Sequence, residues 1–290
     1  MIYLNNRIVP NNKAVISVYD HGFLYGDGIY ETLRAYDGIV FMLDQHVERL
    51  FRSASMIALK IKKTPDAVKK AIYKTLSANR LKEAVIRITV SRGPGPTGLD
   101  PALCPDPTFV IIAKKFIHYP KMYYKKGVRI AIVDTKRNFK GALNPQIKSL
   151  NFLNNILAKI EATKKGAYEA IMKNYRGYIA EGTVSNIFFI KDQVLCTPGL
   201  DVGILDGITR KIILETAGDA GIQVKEGRFK ENDLYNADEV FISNTTMEVM
   251  PVSEINNKTI SSSAGNLTKI LHKSYVKKIK DHIKTNEDVN

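Results

Sequence analysis

The chain has 290 residues, 44% of them hydrophobic and 25% charged, with 43 Lys and Arg against 29 Asp and Glu for a formal net charge of +14. That balance fits a globular protein of one large or two ordinary domains, and it excludes a chain dominated by disorder. Its cations are spread over several elements (Lys60, Lys62 and Lys63, then Lys69, Lys70 and Lys74, then Lys121, Lys125 and Lys126, then a lysine-rich C-terminal helix) instead of gathering on one face with aromatics, so a nucleic-acid partner is not expected. No run approaches the ~20 apolar residues of a membrane span, and the N-terminus MIYLNNRIVP lacks the pattern of a signal peptide. Two cysteines, Cys104 and Cys196, without CxxC or paired-His spacing, predict no disulfide framework and no metal site, which fits a reducing cytoplasm.

The first segment, MIYLNNRIV, reads as short strands around an Asn5-Asn6 turn, with a further strand near Ala14 to Val18. Asp20-His21-Gly22 breaks it. LYGDGIYETLRAYDGIVFML follows, with YDG as a hairpin signal. Asp44 is expected to cap a helix whose apolar positions Val47, Leu50, Phe51, Ala54, Ile57 and Ala58 recur at helical spacing. Thr64-Pro65-Asp66 opens another helix. Two strands, EAVIRITVSRG and DPTFVIIAKKF, flank a Gly- and Pro-rich loop whose length suits a binding element.

The short basic stretch after this is the predicted interdomain linker. The expected division is a small N-terminal α/β domain over 1–118, a linker over 119–127 and a large domain over 128–290. The second region begins with GVRIAIVDT and alternates strands (EAIMKNY, SNIFFIKDQVLCTP, EVFISN) with helices (LNFLNNILAKIEATKKG, TRKIILETAGDAG, ENDLYN). An α/β or α+β chain of two lobes results, with a cleft between them as the expected site.

A lysine used for Schiff-base chemistry must be held on rigid structure and partly desolvated. Lys148 follows Pro145 and Ile147 and is predicted to stand at the start of an amphipathic helix, SLNFLNNILAKIEA. In so lysine-rich a chain that setting alone favours a solvent-facing side chain. The surrounding blocks change the weighting. IKSLNFLNNILAKIEA, EGTVSNIFFI, GILDGITR and FISNTTMEVMPV, in this order and spacing, resemble the fold-type IV pyridoxal 5′-phosphate (PLP) enzymes: branched-chain aminotransferases, D-amino acid aminotransferases and aminodeoxychorismate lyases.

The resemblance, which runs from about Asp20 to Ile283, implies a small N-terminal and a larger C-terminal domain and a homodimer or higher homo-oligomer acting on small amino and keto acids. It implies that Lys148 carries PLP covalently and later moves a proton, and that Glu181 faces the pyridine nitrogen, where a carboxylate keeps the ring protonated. It places Arg49, Ile208, Thr209 and Thr245 on the phosphate. Tyr25, Tyr30, Arg87 and Thr246 become candidates for the substrate. For Tyr25 and Tyr30 the plain alternative is aromatic packing in a hairpin; for Gly207 before Ile208-Thr209 it is an ordinary helix cap.

Arg87 in EAVIRITV matches an arginine that branched-chain aminotransferases carry in the substrate pocket, and a guanidinium inside a strand calls for an anionic partner. The Arg-x-His carboxylate trap of D-amino acid aminotransferases is replaced by Thr97 and Leu99. Phe152, Val85, and YET and NTTME depart from the branched-chain pattern, and EGTVSNIFFIKDQVLCTPGLDVGILDGITR also resembles the lyases. The expected activity is therefore transfer of the amino group of aliphatic, branched-chain L-amino acids to 2-oxoglutarate. The alternatives are an aminodeoxychorismate lyase yielding 4-aminobenzoate and pyruvate, or a D-amino acid aminotransferase with a different carboxylate site.

Overall fold

The computed structural model describes residues 1–261 and 263–287, and the chain divides into two compact units. Of the described residues, the first comprises Met1–Ile117, the strip Ile147–Asn151 and residues 282–287; the second comprises His118–Gln146 and Phe152–Asp281.

In the first unit β1 (Ile2–Leu4) and β2 (Arg7–Val9) form a hairpin around Asn5, whose φ of 54° suits asparagine in a tight turn. The strand expected near Ala14–Val18 does not form. Val15, Ile16 and Val18 are exposed, and that stretch pairs with no edge. A one-turn helix, α1 (His21–Tyr25), is capped by Asp20 and closed by Gly26. β3 (Gly28–Tyr36) and β4 (Ile39–Val40) make the YDG hairpin, with Asp37 and Gly38 both at positive φ.

Helix α2 (Leu43–Met56) starts one residue earlier than its expected cap. Met42 is the N-cap, and Asp44 lies in the first turn, where its carboxylate favours the helix dipole and pairs with Lys69 at 2.7 Å. Helix α3 (Pro65–Ala78) has Thr64 as its cap and Pro65 in its first turn, as predicted. β5 (Ala84–Ser91) and β6 (Thr108–Lys115) complete a sheet ordered β2-β1-β6-β5-β3-β4 with antiparallel pairing throughout. Ile29, Leu33, Ile86, Ile88 and Ile111 of its inner face pack on Val47 and Leu50 of α2 and Val68 and Ile72 of α3.

The second unit opens with α4 (Lys121–Lys126), so the stretch read as a linker contains a helix. β7 (Val128–Ile132), α5 (Leu153–Lys164), β8 (Glu169–Lys173), β9 (Ile179–Gly182), β10 (Asn186–Lys191) and β11 (Val194–Pro198) follow. Next come α6 (Ile208–Asp219), β12 (Val224–Gly227), α7 (Glu231–Tyr235), β13 (Glu239–Asn244), β14 (Glu248–Ile255), β15 (Lys258–Thr259) and α8 (Asn266–Glu287).

Its sheet runs β12-β11-β10-β13-β14-β7-β8-β9, with β15 on β14. The pairs β11–β12, β14–β7 and β7–β8 are parallel and the rest antiparallel, so the lobe is mixed α/β. Ala158 and Ala162 let α5 lie close against Ala131, Ala170 and Met172. Among the described residues no helix is long and apolar enough to cross a membrane.

Candidate active site

In the first unit Lys148 lies on an extended strip rather than at a helix start; α5 begins only at Leu153. The strip is hydrogen-bonded along β3. The Tyr30 N–H donates to the Lys148 carbonyl at 2.9 Å, the Leu150 N–H donates to the Gly28 carbonyl at 2.9 Å, and Ser149 bridges Ile29. Gly28 is required there, because a Cβ would come within 2.6 Å of the Val90 carbonyl oxygen and 2.7 Å of Leu150. Backbone pairing thus supplies the rigid mount that a reactive lysine needs, by a different element from the one expected. Lys148 is half-buried, and its amine lies 4.5 Å from the Tyr30 ring centroid. The Arg87 guanidinium, on β5, lies 4.3 Å from the same centroid. Burial pushes the Arg87 guanidinium below its usual pKa, against the opposing influence of Tyr30.

Arg49 is buried on α2, and two of its nitrogens face a residue the sequence reading passed over. Its Nε and Nη2 donate to the two carboxylate oxygens of Glu31 at 2.6 and 2.9 Å, and His46 Nδ1 meets Glu31 Oε2 at 2.8 Å. Glu31 is wholly buried. Burial alone would raise its carboxyl; the Arg49 charge and the hydrogen bonds from His46 and Arg49 reverse this and hold it far below the usual range. His46 is pushed down by burial, against the hydrogen bond and charge of Glu31. A signal was present: Glu31 shares the inward parity of Ile29 and Leu33 on β3, and His46 and Arg49 are three apart on α2, so an inward carboxylate faced a matched pair of donors.

Tyr25 is placed by the loop. Its hydroxyl accepts from the Gly98 N–H at 3.3 Å, and its ring meets His21 edge-on at 4.9 Å. His21 Nε2 is 2.9 Å from the Pro96 carbonyl, and Arg92 grips Asp27 at 2.8 and 3.0 Å while donating to the Ile57 and Ala58 carbonyls. The Gly- and Pro-rich loop is thereby tied to the α1 region at several points.

In the second unit Glu181 lies near the end of β9 and is buried. Its Oε1 accepts from Arg137 Nε at 2.7 Å; its Oε2 accepts from the Leu205 N–H at 2.9 Å and from Asn186 Nδ2 at 3.3 Å. Arg137 carried no motif and was missed. Ile208 and Thr209 open α6 behind the N-cap Gly207, where first-turn N–H groups lack intrahelical acceptors. Thr245 and Thr246 occupy a turn whose shape is set by Asn244: its Oδ1 accepts from the Thr246 N–H at 2.9 Å and the Met247 N–H at 2.8 Å. The Thr246 hydroxyl is 3.1 Å from that of Tyr119.

A phosphorylated pyridine aldehyde calls for a primary amine on rigid backbone, a carboxylate for its ring nitrogen and anion-holding N–H and hydroxyl groups. The first unit supplies such an amine at Lys148, and the second a buried carboxylate at Glu181 and the N–H and hydroxyl groups of the α6 start and the 244–247 turn, so the kinds of group present fit PLP. This is the chemistry of a PLP-dependent enzyme.

The Amino-transferase class IV family model matches residues 28–255, and the chain belongs to that family. It is 43% identical over 275 residues, 94% of each chain, to a Methanocaldococcus jannaschii protein provisionally named branched-chain-amino-acid aminotransferase. It is 35% identical over 286 residues to the aminodeoxychorismate lyase of Bacillus subtilis, covering 98% of this chain and 96% of that one. Among solved structures, the branched-chain amino acid aminotransferase of Escherichia coli superposes with a TM-score of 0.92 at 29% identity, over 95% of this chain and 93% of that one. The T.th. branched-chain amino acid aminotransferase with pyridoxamine 5′-phosphate gives 0.91 at 31% identity, over 95% of this chain and 92% of that one. The fold-type IV architecture is shared throughout.

Proposed function

We propose that this enzyme moves the amino group of branched-chain L-amino acids to 2-oxoglutarate. The observation that carries the reading is the placement of Arg87 and Lys148 at 4.3 and 4.5 Å from one ring centroid, that of Tyr30, so a guanidinium able to take a carboxylate and the amine flank the same side chain. The 43% identical M. jannaschii relative supports the same substrate class.

PLP, when bound, supplies a carbonyl that condenses with amines and a ring that accepts the electrons of the broken Cα–H bond. Lys148 would hold the cofactor, and its freed amine would take up and hand on the proton lost from the substrate Cα. Glu181 keeps the ring nitrogen protonated. Arg49, Ile208, Thr209 and Thr245 hold the phosphate, and Tyr25, Tyr30, Arg87 and Thr246 orient the substrate.

The enzyme works as a cytoplasmic homodimer in this reading. Leu153, Ile156, Leu157 and Ile160 leave an exposed apolar stripe on α5, which a second copy would cover.

The 35% identical B. subtilis relative favours one second reading, an aminodeoxychorismate lyase. The test is to supply L-leucine with 2-oxoglutarate, D-alanine with 2-oxoglutarate, and aminodeoxychorismate separately. Glutamate formed from L-leucine is expected. Pyruvate from aminodeoxychorismate without glutamate from either amino acid would replace the reading with the lyase, and glutamate from D-alanine alone with the D-specific transaminase.

A further inference from the structure

Glu169 opens β8 in the second unit and is only 2% exposed. Among the described residues it pairs with no cation, an unusual state for a buried carboxylate. Five donors stand in for one. Its Oε1 accepts from the Ala170 N–H at 2.8 Å, the Thr183 N–H at 3.2 Å and the Thr183 hydroxyl at 2.6 Å. Its Oε2 accepts from the Val184 N–H at 3.4 Å and the Ser185 hydroxyl at 3.1 Å. Four of the five come from one turn, the three residues between β9 and β10.

That turn joins Glu181 to one of its own hydrogen-bond donors. Glu181 stands just before it, and Asn186 just after it donates from Nδ2 to both Glu181 Oε2 and the Leu205 carbonyl, at 3.3 and 3.1 Å. The turn is drawn tight by the Gly182 N–H bond to the Ser185 carbonyl at 2.7 Å, and a Cβ on Gly182 would come within 2.1 Å of Ser185 Oγ. From outside, Asn155 Nδ2 holds the Thr183 carbonyl at 2.6 Å and Asn244 Nδ2 holds the Val184 carbonyl at 3.1 Å. Val184 itself is 56% exposed, so the turn gains little from apolar burial at its tip. Hydrogen bonds to Glu169 fix its shape.

We propose that Glu169 is a positioning residue for the cofactor: it sets the turn Thr183–Ser185 and through it the carboxylate of Glu181 and the amide of Asn186. The role rests on the reading of Glu181 as the partner of the ring nitrogen. Acceptors at both oxygens are what the turn requires. Glu169→Gln keeps the three bonds at one oxygen and leaves the Val184 N–H facing an amide N–H₂, whereas Glu169→Leu loses all five.

The test is a double-mutant cycle between Glu169→Leu and Glu181→Gln, read by PLP affinity of the cofactor-free protein and by the ¹⁵N signal of the ring nitrogen in the loaded protein. Glu169→Leu is expected to weaken PLP binding ~10-fold and to shift the ring nitrogen toward its deprotonated signal, with Glu169→Gln within about threefold of wild type. In the Glu181→Gln background the same leucine is expected to cost less than about twofold, because the group it positions is already gone. An equal loss in both backgrounds, or an unchanged ring-nitrogen signal in Glu169→Leu, overturns the positioning role. Glu181→Gln alone matching wild type in both readouts overturns the assignment of Glu181, and this role with it. Should Glu169→Leu fail to unfold cooperatively as a folded protein does, Thr183→Val with Ser185→Ala removes the two hydroxyl bonds and completes the same cycle.

Discussion

Tyr30 holds Lys148 twice: its N–H donates to the Lys148 carbonyl at 2.9 Å, and its ring centroid lies 4.5 Å from the Lys148 amine. The backbone bond survives any substitution other than proline, so side-chain variants isolate the contribution of the ring. Tyr30→Phe keeps the aromatic face and is expected to attach PLP within about twofold of the wild-type rate. Tyr30→Ala loses a contact of ~0.5–1 kcal/mol made to the ammonium and not to the attacking neutral amine, and is expected to be roughly 2–5-fold faster. Borohydride trapping of the cofactor on Lys148 over time measures both, and equal rates in the two variants would remove the ring from the account.

The Glu31–Arg49 pair is fully desolvated, which makes loss of one partner far more damaging than loss of both. Glu31→Gln removes the negative charge facing Arg49 and is expected to cost about 3–5 kcal/mol in urea unfolding at pH 7. Because the folded-state carboxyl is held below its unfolded value, its stabilisation is complete above about pH 4.3 and is lost as pH falls below that. The gap between wild type and Glu31→Gln should therefore narrow by roughly 2 kcal/mol between pH 5 and pH 3. A gap that widens toward acid would contradict the buried ion pair.

His46 carries the opposite sign of charge and the same direction of pH dependence. Its folded-state pKa is lowered, so below about pH 6.5 the unfolded chain takes up a proton that the folded chain refuses. Wild-type stability should decline below that pH by at most ~1.4 kcal/mol per unit from this residue. In His46→Gln that component is absent. Chemical denaturation from pH 7.5 to 5.5 checks it; superimposable slopes for the two proteins would refute it.

Tyr25→Phe removes only the hydroxyl that accepts from Gly98. A neutral hydrogen bond of this kind is worth ~0.5–1 kcal/mol, so the Gly98 amide is expected to exchange with deuterium roughly 2–5-fold faster. Exchange at Gly95, whose N–H donates to the Tyr19 carbonyl at 3.2 Å, should change less.

Gly182→Ala drives a methyl to within 2.1 Å of Ser185 Oγ and is expected to cost about 1–3 kcal/mol in thermal unfolding. Removing the obstructing oxygen with Ser185→Ala in the same chain should recover part of that loss. Additive losses in the double variant would place the clash elsewhere.

Much of this was legible in the sequence because it is written locally. The YDG hairpin, the Thr64-Pro65 helix start, the strand carrying Glu181 and the helix opening at Ile208 each depend on neighbours a few residues away, and the family resemblance rests on contiguous blocks. What failed depends on distant pairing. Ala14–Val18 has a strand composition but no edge to join, and the strip around Lys148 was read as a helix start because its partner, β3, lies about 120 residues upstream. Glu31 and Arg137 escaped notice for the same reason: a buried charge is recognised by its partner, and their partners Arg49 and Glu181 lie 18 and 44 residues away.

The strip 147–151 packs with the first compact unit although the chain on either side of it belongs to the second. Neither unit is therefore a genetic module. A single recombination crossover near residue 118 between two diverged relatives would give a chimera whose Lys148 comes from one parent and the Tyr30 it packs on from the other. Homologous exchange is expected to tolerate junctions that keep β3 and the lysine strip together, which takes two crossovers or a single one before residue 28 or beyond residue 151.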